Sequence, residues 1–518
     1  MSLEDLLSSV CQTSVPKLSP TYLLQKSFRI EKKTLILGGL SANLNGRIFI
    51  VGFGKAAYSL VADFYKAVTS AGLDVFKGVL SVPSHLKKEN LSLPPQFRIV
   101  FAAPSNIPDD SSFFAGQAVI SLLQELEEQD ILITFVTGGG SALLTAPVPP
   151  FTPQEMSLMV KHLHISGAPI QHLNILRQYA DFLKAGGLAL LAYPRKVVSF
   201  ILSDVIGSDL RYIASGPTCL ESLYHDVGET NLLLEKYKLG QVLDQATMKF
   251  YQYPNEHPRS RLSQLKEMCN FGSSKAEDLS KLDHVTNILI GSNDDAKRVL
   301  QRLMIDNSIP TTILCKSFGG EASVLGKEYA KLSFAVCQCM AWKLFPDCFE
   351  QKPFFPTPYL DNENFIINSM NEIYIGKRKG FIVAFVAGGE TTVTVRGSGT
   401  GGRSQEAALA AALEMHMLWE NCSYTHFDLY ANVLFFGTDG QDGPCDAAGA
   451  IASPSVVDKA HRQHLNAESY LLNNDSFTFW SLLDNGAFHI RTGSTGTNFA
   501  DLAVIAAMVF PKQQNSLL

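Results

Sequence analysis

A glycine-rich segment that contains two arginines is the part of this sequence best suited to bind an anion. It runs from Glu390 to Glu406 and reads ETTVTVRGSGTGGRSQE. Glycine permits positive φ and lets backbone N–H groups approach a ligand closely, and the helix predicted at Ala407 to Met417 would add its positive dipole end. We therefore expect this segment to hold an anion. A glycine-rich hairpin with solvated arginines is the alternative.

A lysine in a second glycine-containing turn is another candidate. The segment Val51 to Ala57 reads VGFGKAA and closes the predicted strand Ile48 to Val51. Its glycines match the spacing of a dinucleotide-binding turn, but the next predicted strand ends near Ser84 without the carboxylate that such a fold needs. Ala56 after the lysine also excludes a Walker P-loop. Because Lys55 would lie against the positive end of a helix dipole, it predicts an anionic partner; a lysine that extends into solvent is the alternative.

Three consecutive glycines follow a third predicted strand, Ile131 to Val136. The segment Thr137 to Leu144 reads TGGGSALL and offers consecutive N–H groups and one hydroxyl. Such an arrangement is an anion-binding nest, and adjacent glycines cost conformational entropy that folding alone does not explain. The predicted nest consists of Gly138, Gly139, Gly140 and Ser141.

Carboxylates in three turns are candidates for binding magnesium or a hydroxyl group. Asp204 follows the predicted strand Lys196 to Ser203, where it would hold Mg²⁺, orient a hydroxyl or cap the next turn. Asp439 and Asp442 lie three residues apart in the segment GTDGQDGP. Two such oxygen donors, together with waters and phosphate oxygens, suit magnesium, whereas the bidentate glutamate of an EF-hand is absent.

Three polar residues are expected on one face of a helix. Asn174, Arg177 and Lys184 lie at spacings of three and seven within the predicted helical stretch Ile170 to Leu191, which Gly186 and Gly187 interrupt. Ordinary solvated charge is the alternative interpretation.

Strand-like and helical segments alternate along the chain, which predicts a parallel sheet covered by helices on both faces. A polar, irregular stretch between Lys236 and Asp283 divides the chain, so we predict domains at 1–280 and 281–518. In the second domain, strands are expected at Val285 to Ile290, Thr311 to Cys315, Phe381 to Ala387 and Asn432 to Phe436, with a final helix at Phe499 to Ala507.

Length, net charge and cysteine content limit the classes of function that are expected for this chain. A chain of 518 residues exceeds what one core usually serves, so two domains with a cleft are expected. The net charge of −6 offers no bulk attraction to nucleic acid or to anionic membranes. No apolar run reaches the roughly 18 residues of a membrane span, and nine cysteines without a C-x-x-C pair indicate a reducing compartment, so we expect a cytoplasmic protein.

The glycine-rich turns, two cations and three carboxylates together indicate phosphoryl transfer, in which catalysis is mostly positioning and charge neutralisation. In order and spacing, seven segments resemble the class II glycerate kinases, also called the MOFRL family. These segments begin at Val51, Thr137, Leu202, Ala214, Gly397, Gly437 and Thr492.

The resemblance implies an α/β protein with an N-terminal Rossmann-like three-layer α/β/α domain, a C-terminal α/β MOFRL domain and an active site in the interdomain cleft. It also implies ATP and Mg²⁺ as co-substrates and D-glycerate as acceptor, with 2-phosphoglycerate favoured over 3-phosphoglycerate. Small molecules are the expected partners, and the sequence allows a homodimer. We predict catalytic roles for Lys55, Arg403 and Asp204 and magnesium binding by Asp439 and Asp442. Substrate or phosphate would be bound by Gly138, Gly139, Gly140, Ser141, Arg177, Gly399, Gly401, Gly402, Gln405 and Asn498.

Four positions depart from the family pattern. Ser404 stands where Asn is common, Gln178 where Lys is common, and Asp181 and Ala185 where Ser and Gly are common. Weaker carboxylate binding or an altered substrate preference is one expected consequence. A catalytically weak ligand-binding member of the kinase family therefore stays open as an alternative. A hydroxypyruvate or glycerate oxidoreductase that uses the Gly52/Gly54/Ala57 turn is the other.

Overall fold

The chain folds into two compact units, Pro20–Gly291 and Met1–Ser19 with Ser292–Leu518. The computed structural model describes residues 2–89, 91–269, 278–314, 317–349, 351, 353, 370–375, 378–422 and 424–512. None of the helices in these ranges combines the length and apolar character that a membrane span requires.

Helix α1 (Leu3–Lys17) opens the chain and belongs to the second unit. The helices of the first unit are α2 (Pro20–Ser27), α3 (Ala57–Ser70), α4 (Asp110–Gln124), α5 (Gly140–Leu143), α6 (Pro153–Ile165), α7 (Ile170–Tyr179), α8 (Gly187–Ala192), α9 (Val227–Lys236), α10 (Gln245–Phe250) and α11 (Arg261–Met268). Its strands are β1 (Arg29–Glu31), β2 (Thr34–Leu37), β3 (Leu40–Asn43), β4 (Ile48–Phe53), β5 (Val75–Pro83), β6 (Phe97–Ala102), β7 (Ile131–Val136), β8 (Lys196–Leu202) and β9 (Val285–Gly291).

Six of these strands form a parallel sheet in the order β6-β5-β4-β7-β8-β9. Residues of β7 alternate between two helical layers: Leu132 and Val136 share a core with α4 and α8, whereas Phe135 packs on Phe64 of α3. Every residue of β4 and β7 is buried, as expected for strands covered on both faces. The predicted three-layer α/β/α arrangement is confirmed.

The predicted helical stretch from Ile170 to Leu191 is two helices. Helix α7 ends at Tyr179 and α8 begins at Gly187, because Ala185 and Gly186 take left-handed backbone conformations with φ of 41° and 73°. The Arg261 side chain donates to the carbonyl oxygens of Asp181, Lys184 and Ala185 and so holds this turn.

The second unit contains a mixed sheet. Its strands are β10 (Thr311–Ile313), β11 (Asn371–Ile375), β12 (Arg378–Gly389), β13 (Phe427–Gly437), β14 (Gly449–Ala452), β15 (His489–Ile490) and β16 (Asp501–Pro511). Besides α1, its helices are α12 (Asn293–Asp306), α13 (Ala322–Leu344), α14 (Arg403–Glu420), α15 (Val456–Arg462), α16 (Ala467–Leu472) and α17 (Ser476–Leu482). The strand order is β10-β12-β16-β13-β14-β15, with β11 paired to β12. Among the strand pairs that the structure describes in this sheet, only β10 and β12 are parallel.

The predicted final helix at Phe499 to Ala507 is wrong, because this part of the chain forms β16. Ten of its eleven residues are buried, and it lies between β12 and β13. A strand buried on both faces has no polar alternation, so a run such as LAVIAAMVF cannot be told from a buried helix by its periodicity.

The end of the first unit also differs from the expected boundary at 280/281. Strand β9 pairs with β8 and completes the first sheet, so the unit continues to Gly291. At the other end of the chain, α1 buries Leu3, Leu6 and Leu7 in the second unit, and the Tyr430 hydroxyl donates to Glu4 at 2.5 Å. The predicted strand Thr311 to Cys315 is β10, and its last predicted residue lies outside the described residues.

Candidate functional site

In the first unit, the ends of three neighbouring strands bring Lys55, the nest and Asp204 together. The Lys55 N–H donates to the Gly138 carbonyl at 2.9 Å, which joins the turn after β4 to the turn after β7. A Cβ atom on Gly139 would lie 3.5 Å from Cγ of the Lys55 side chain, and one on Gly138 would overlap the Asp204 carboxylate. Glycine at 138 is therefore required by the close approach of Asp204.

Three of the four N–H groups of the nest are open. Gly139 has a φ of 80°, and Gly140 donates to the Thr137 carbonyl at 3.1 Å. Among the described residues, nothing accepts a hydrogen bond from the N–H groups of Gly138, Gly139 and Ser141. The exposed Lys55 side chain lies beside them, and it forms no ion pair with any residue that the structure describes. A small anion can be bound here by backbone amides and one ammonium group.

A chain of hydrogen bonds runs from the nest to a buried arginine. Ser141 Oγ lies 2.8 Å from Ser215 Oγ, which donates to Asn174 Oδ1 at 2.9 Å. The Arg177 guanidinium donates to the same oxygen at 2.8 and 3.1 Å. Burial lowers the pKa of Arg177 to about 9, and the Asp181 carboxylate partly offsets this effect. Asn174 and Arg177 thus share a face of α7, as predicted.

Lys184, in contrast, lies beyond α7 and is neither on that face nor solvated. Its ammonium group is buried and donates to Asp181 at 2.8 Å and to the Leu144 carbonyl at 2.7 Å. Burial lowers the pKa of Lys184, and Asp181 opposes that shift. Lys184 therefore fixes the segment after the nest to the turn between α7 and α8.

Two of the departures from the family pattern have structural partners. Gln178 donates to the carbonyl oxygens of Arg211 and Ser215 at 2.6 and 3.2 Å. Asp181 accepts from the N–H groups of Ala146 and Leu183 in addition to Lys184. Both side chains support the backbone around Ser215 and the nest.

In the second unit, the loops after β12 and β13 line a cavity of about 740 Å³. Seven predicted site residues lie on its wall, and the side chains of Glu390, Glu406 and Asn474 add polar groups. The predicted residues are Gly399, Gly401, Gly402, Arg403, Asp439, Asp442 and Asn498. The volume is within the range of small-molecule sites.

Most N–H groups of the glycine-rich loop are already bonded within the protein, contrary to the expectation that they face a ligand. Asn474 Oδ1 accepts from Arg396 and Gly397, Asn473 accepts from Ser398 and Gly399, and Asp475 Oδ1 accepts from Thr400. Cβ atoms at 397, 399 and 401 would overlap this same 473–476 segment. Between 396 and 406, within the described ranges, the N–H groups without an acceptor are those of Gly401, Gly402 and Arg403.

Asp442 caps helix α14. Its two carboxylate oxygens accept from the N–H groups of Ser404 and Gln405 at 3.0 and 2.8 Å, which satisfies orphan donors at the helix start. Burial raises the pKa of Asp442, and these hydrogen bonds oppose the shift. The sequence prediction did not foresee this role.

Gln405 lies below the cavity and does not line it. Its amide donates to Asp442, and its Oε1 lies 3.0 Å from His489 Nε2. The Trp480 indole donates to the Gln405 carbonyl at 3.0 Å. The Gln405 side chain is fully buried and connects α14 to the loop after β13 and to β15.

Arg403 is held by a carboxylate that sequence reasoning missed. Its guanidinium donates to Asp501 at 2.5 and 3.0 Å and to Glu390 at 2.7 Å. Burial raises the pKa of Asp501 to about 7, although Arg403 lowers it. The only sequence signal for Asp501 was a carboxylate between a polar loop and an apolar run.

The donor groups of the cavity fit a magnesium ion whose other ligands are waters and phosphate oxygens. Among the described residues, no group of three or more His, Cys, Asp or Glu side chains could hold a metal. Asp439 and Asp442 both line the cavity, and within the described residues the Asp439 carboxylate accepts only from the Gln441 N–H, at 3.1 Å. Mg²⁺ is commonly bound by one or two carboxylates plus substrate phosphates, so this donor set fits.

Comparison with known proteins yields one consistent family. Residues 383–501 match the MOFRL family, and residues 6–252 match a domain of unknown function (DUF4147). The chain is 33% identical to a glycerate kinase of Danio rerio over 521 residues, which cover 99% of both chains. It is 28% identical to the D-glycerate 2-kinase of Thermotoga maritima over 407 residues, 78% of this chain and 79% of that protein. The crystal structure of a glycerate kinase from Thermotoga maritima has a TM-score of 0.70 at 25% identity and covers 97% of this chain and 99% of that one.

Proposed function

Because the chain belongs to the glycerate kinase family that carries the MOFRL domain, we propose that it transfers the γ-phosphoryl group of ATP to a hydroxyl group of D-glycerate. The observation that carries this proposal is the 33% identity to a curated glycerate kinase over 99% of both chains. The aligned region includes the nest, Lys55 and the residues that line the cavity.

The cavity of the second unit is the proposed nucleotide site. Its volume of about 740 Å³ accommodates a nucleotide, whereas a three-carbon acid would leave most of it empty. Among the described residues, its wall carries the carboxylates Glu390, Glu406, Asp439 and Asp442 but the single guanidinium of Arg403. Such an acidic wall accepts phosphates only with a cation, which supports Mg²⁺-bound ATP with Asp439 as the more accessible of the two proposed magnesium ligands.

The nest of the first unit is the proposed site for a compact anion, either the glycerate carboxylate or the phosphoryl group in transfer. Three open N–H groups and the Lys55 ammonium group support this assignment. The buried Arg177 would stabilise the same anion through Asn174 and the two serine hydroxyls. Asp204 is the proposed group that orients the acceptor hydroxyl.

Lys55 and Arg403 are the proposed catalytic cations. Phosphoryl transfer passes through a loose transition state with charge spread over the equatorial oxygens, so positive groups lower its energy without a strong general base. Transfer stabilised by these two cations requires no histidine as a general base.

Phosphorylation at the 2-hydroxyl is proposed because a relative is a D-glycerate 2-kinase. The test is to incubate the purified protein with ATP, Mg²⁺ and D-glycerate and to identify the product by phosphorus NMR. We expect 2-phosphoglycerate and equimolar ADP. Formation of 3-phosphoglycerate would refute the regiochemistry. Oxidation of NADH with hydroxypyruvate, in place of any phosphoglycerate, would refute the kinase assignment.

A cytoplasmic location and a homodimer are further proposals. None of the eight cysteines within the described residues forms a disulfide bond, which supports a reducing compartment. Subcellular fractionation and light scattering of the purified protein test the two proposals, respectively.

A further inference from the structure

Asp501 lies where two loops of the nucleotide cavity begin. As the first residue of β16, it is paired in register with Gly389 at the end of β12 and with Gly437 at the end of β13. Strand β16 runs antiparallel to both, so its first residue meets their last residues. The position of the Asp501 carboxylate is therefore set by strand pairing at the centre of the sheet.

The two carboxylates bound to Arg403 differ in exposure. The Asp501 side chain is 5% exposed and binds Nε and one terminal nitrogen of the guanidinium as a fork. The Glu390 side chain is 51% exposed and binds the other terminal nitrogen alone, at 2.7 Å. A buried bidentate pair is costly to break, whereas an exposed single pair contributes little.

From this asymmetry we infer that Arg403 exchanges partners when nucleotide binds: Asp501 keeps the guanidinium oriented, and Glu390 gives up its nitrogen to a phosphate oxygen. A phosphate matches the guanidinium fork as a carboxylate does, and the Glu390 side chain has solvent into which it can turn. Asp501 is thus a positioning residue, and Glu390 is a competitor for the phosphate. This inference rests on the proposed function, since it takes ATP as the ligand.

The decisive variant is Glu390→Gln. Removing the competing charge should tighten ATP binding by about two- to five-fold, the range expected when one exposed pair no longer has to be broken. The dissociation constant is measured by calorimetry with a non-hydrolysable ATP analogue and Mg²⁺, which requires no turnover. Glu372→Gln is the matched control, because Glu372 is 56% exposed and forms a comparable pair with Lys379 at 2.8 Å.

Asp501→Asn is the second variant. It should weaken analogue binding by at least ten-fold, and adding Glu390→Gln should recover only part of the loss, because the guanidinium is then unanchored. Unchanged or weaker binding in Glu390→Gln would overturn the exchange. Equal binding in Asp501→Asn and the unaltered protein would overturn the positioning role. A protein that binds the analogue with these changes yet forms no phosphoglycerate would refute the proposed function while leaving the exchange supported.

Discussion

Lys55 is the most accessible cation at the predicted site of the first unit. It is exposed beside three open N–H groups and the Asp204 carboxylate. Lys55→Ala should lower kcat by about 10² to 10³, the usual cost of one electrostatic donor to a transition state. Steady-state kinetics measure the change, with Lys87→Ala, an exposed lysine after β5, as control. Turnover within a few-fold of the unaltered protein would remove Lys55 from the catalytic group.

His489 makes the stability of the second unit depend on pH. Burial lowers the pKa of His489 to about 4, whereas an unfolded histidine titrates near 6.5. Between these values the unfolded chain binds a proton that the folded chain does not, so stability is lost as pH falls through this window.

His489→Gln should therefore lose less thermal stability than the unaltered protein between about pH 7.5 and pH 5. Scanning calorimetry at both pH values provides the comparison. The exposed His461→Gln serves as control. Equal losses in all three proteins would show that the His489 ring titrates normally in the folded state.

Some site residues could be placed from the sequence because a general rule locates them. Lys55, the nest and Asp204 each follow a parallel strand, and the carboxyl ends of neighbouring parallel strands lie at one edge of the sheet. Gln405 could not be placed, because its contacts with Asp442 and His489 join positions far apart in sequence. Asp442 was assigned to magnesium by residue type alone, and its hydrogen bonds to α14 depend on tertiary structure.

At the scale of single elements, helix α14 depends on Asp442 for its first turn. Asp442→Ala would leave two buried N–H groups without acceptors and should destabilise the second unit by about 1–3 kcal/mol. Asp442→Asn, which keeps one acceptor oxygen, should cost less. Urea unfolding measures both variants.

Asp439→Ala is the matched control for Asp442→Ala, because the Asp439 carboxylate accepts, in the part of the chain that the structure describes, only from the neighbouring Gln441 N–H. It should change stability little while raising the Mg²⁺ concentration needed for half-maximal activity. If Asp442→Ala leaves the urea midpoint unchanged, the cap contributes nothing and the carboxylate belongs to the metal alone.

Elements were predictable where their pattern was distinctive. The first sheet follows from short apolar strands alternating with helices, and α14 follows from its alanine-rich sequence. Strand β16 was predicted as a helix because LAVIAAMVF contains helix-forming residues and no polar alternation. The break between α7 and α8 was underestimated, because Arg261, far along the chain, holds the turn.

At the scale of the whole molecule, the first helix belongs to the unit formed by the last part of the chain. Leu7 is fully buried in α1, which packs on α12 and β13. Leu7→Ala should therefore destabilise the second unit by about 2–5 kcal/mol through the lost burial and the cavity it creates. Urea unfolding compares it with Gln12→Ala, an exposed position on the same helix. Matching midpoints would show that α1 is detached in solution.

The division into two units could be predicted from the sequence only in part. The polar stretch before Asp283 predicted a boundary near the right region, but β9 follows that stretch and completes the first sheet. Strand pairing depends on the partner rather than on composition, so β9 could equally have begun the second sheet.

The position of β16 also sets the order in which the chain can fold during synthesis. The sheet of the first unit is complete once β9 has emerged from the ribosome, and domains generally fold as they appear. The second sheet has the last described strand at its centre, between β12 and β13. Until that strand is made, the edges of β12 and β13 that it pairs with have no partner, so this half of the nascent protein stays open to aggregation for the longest time.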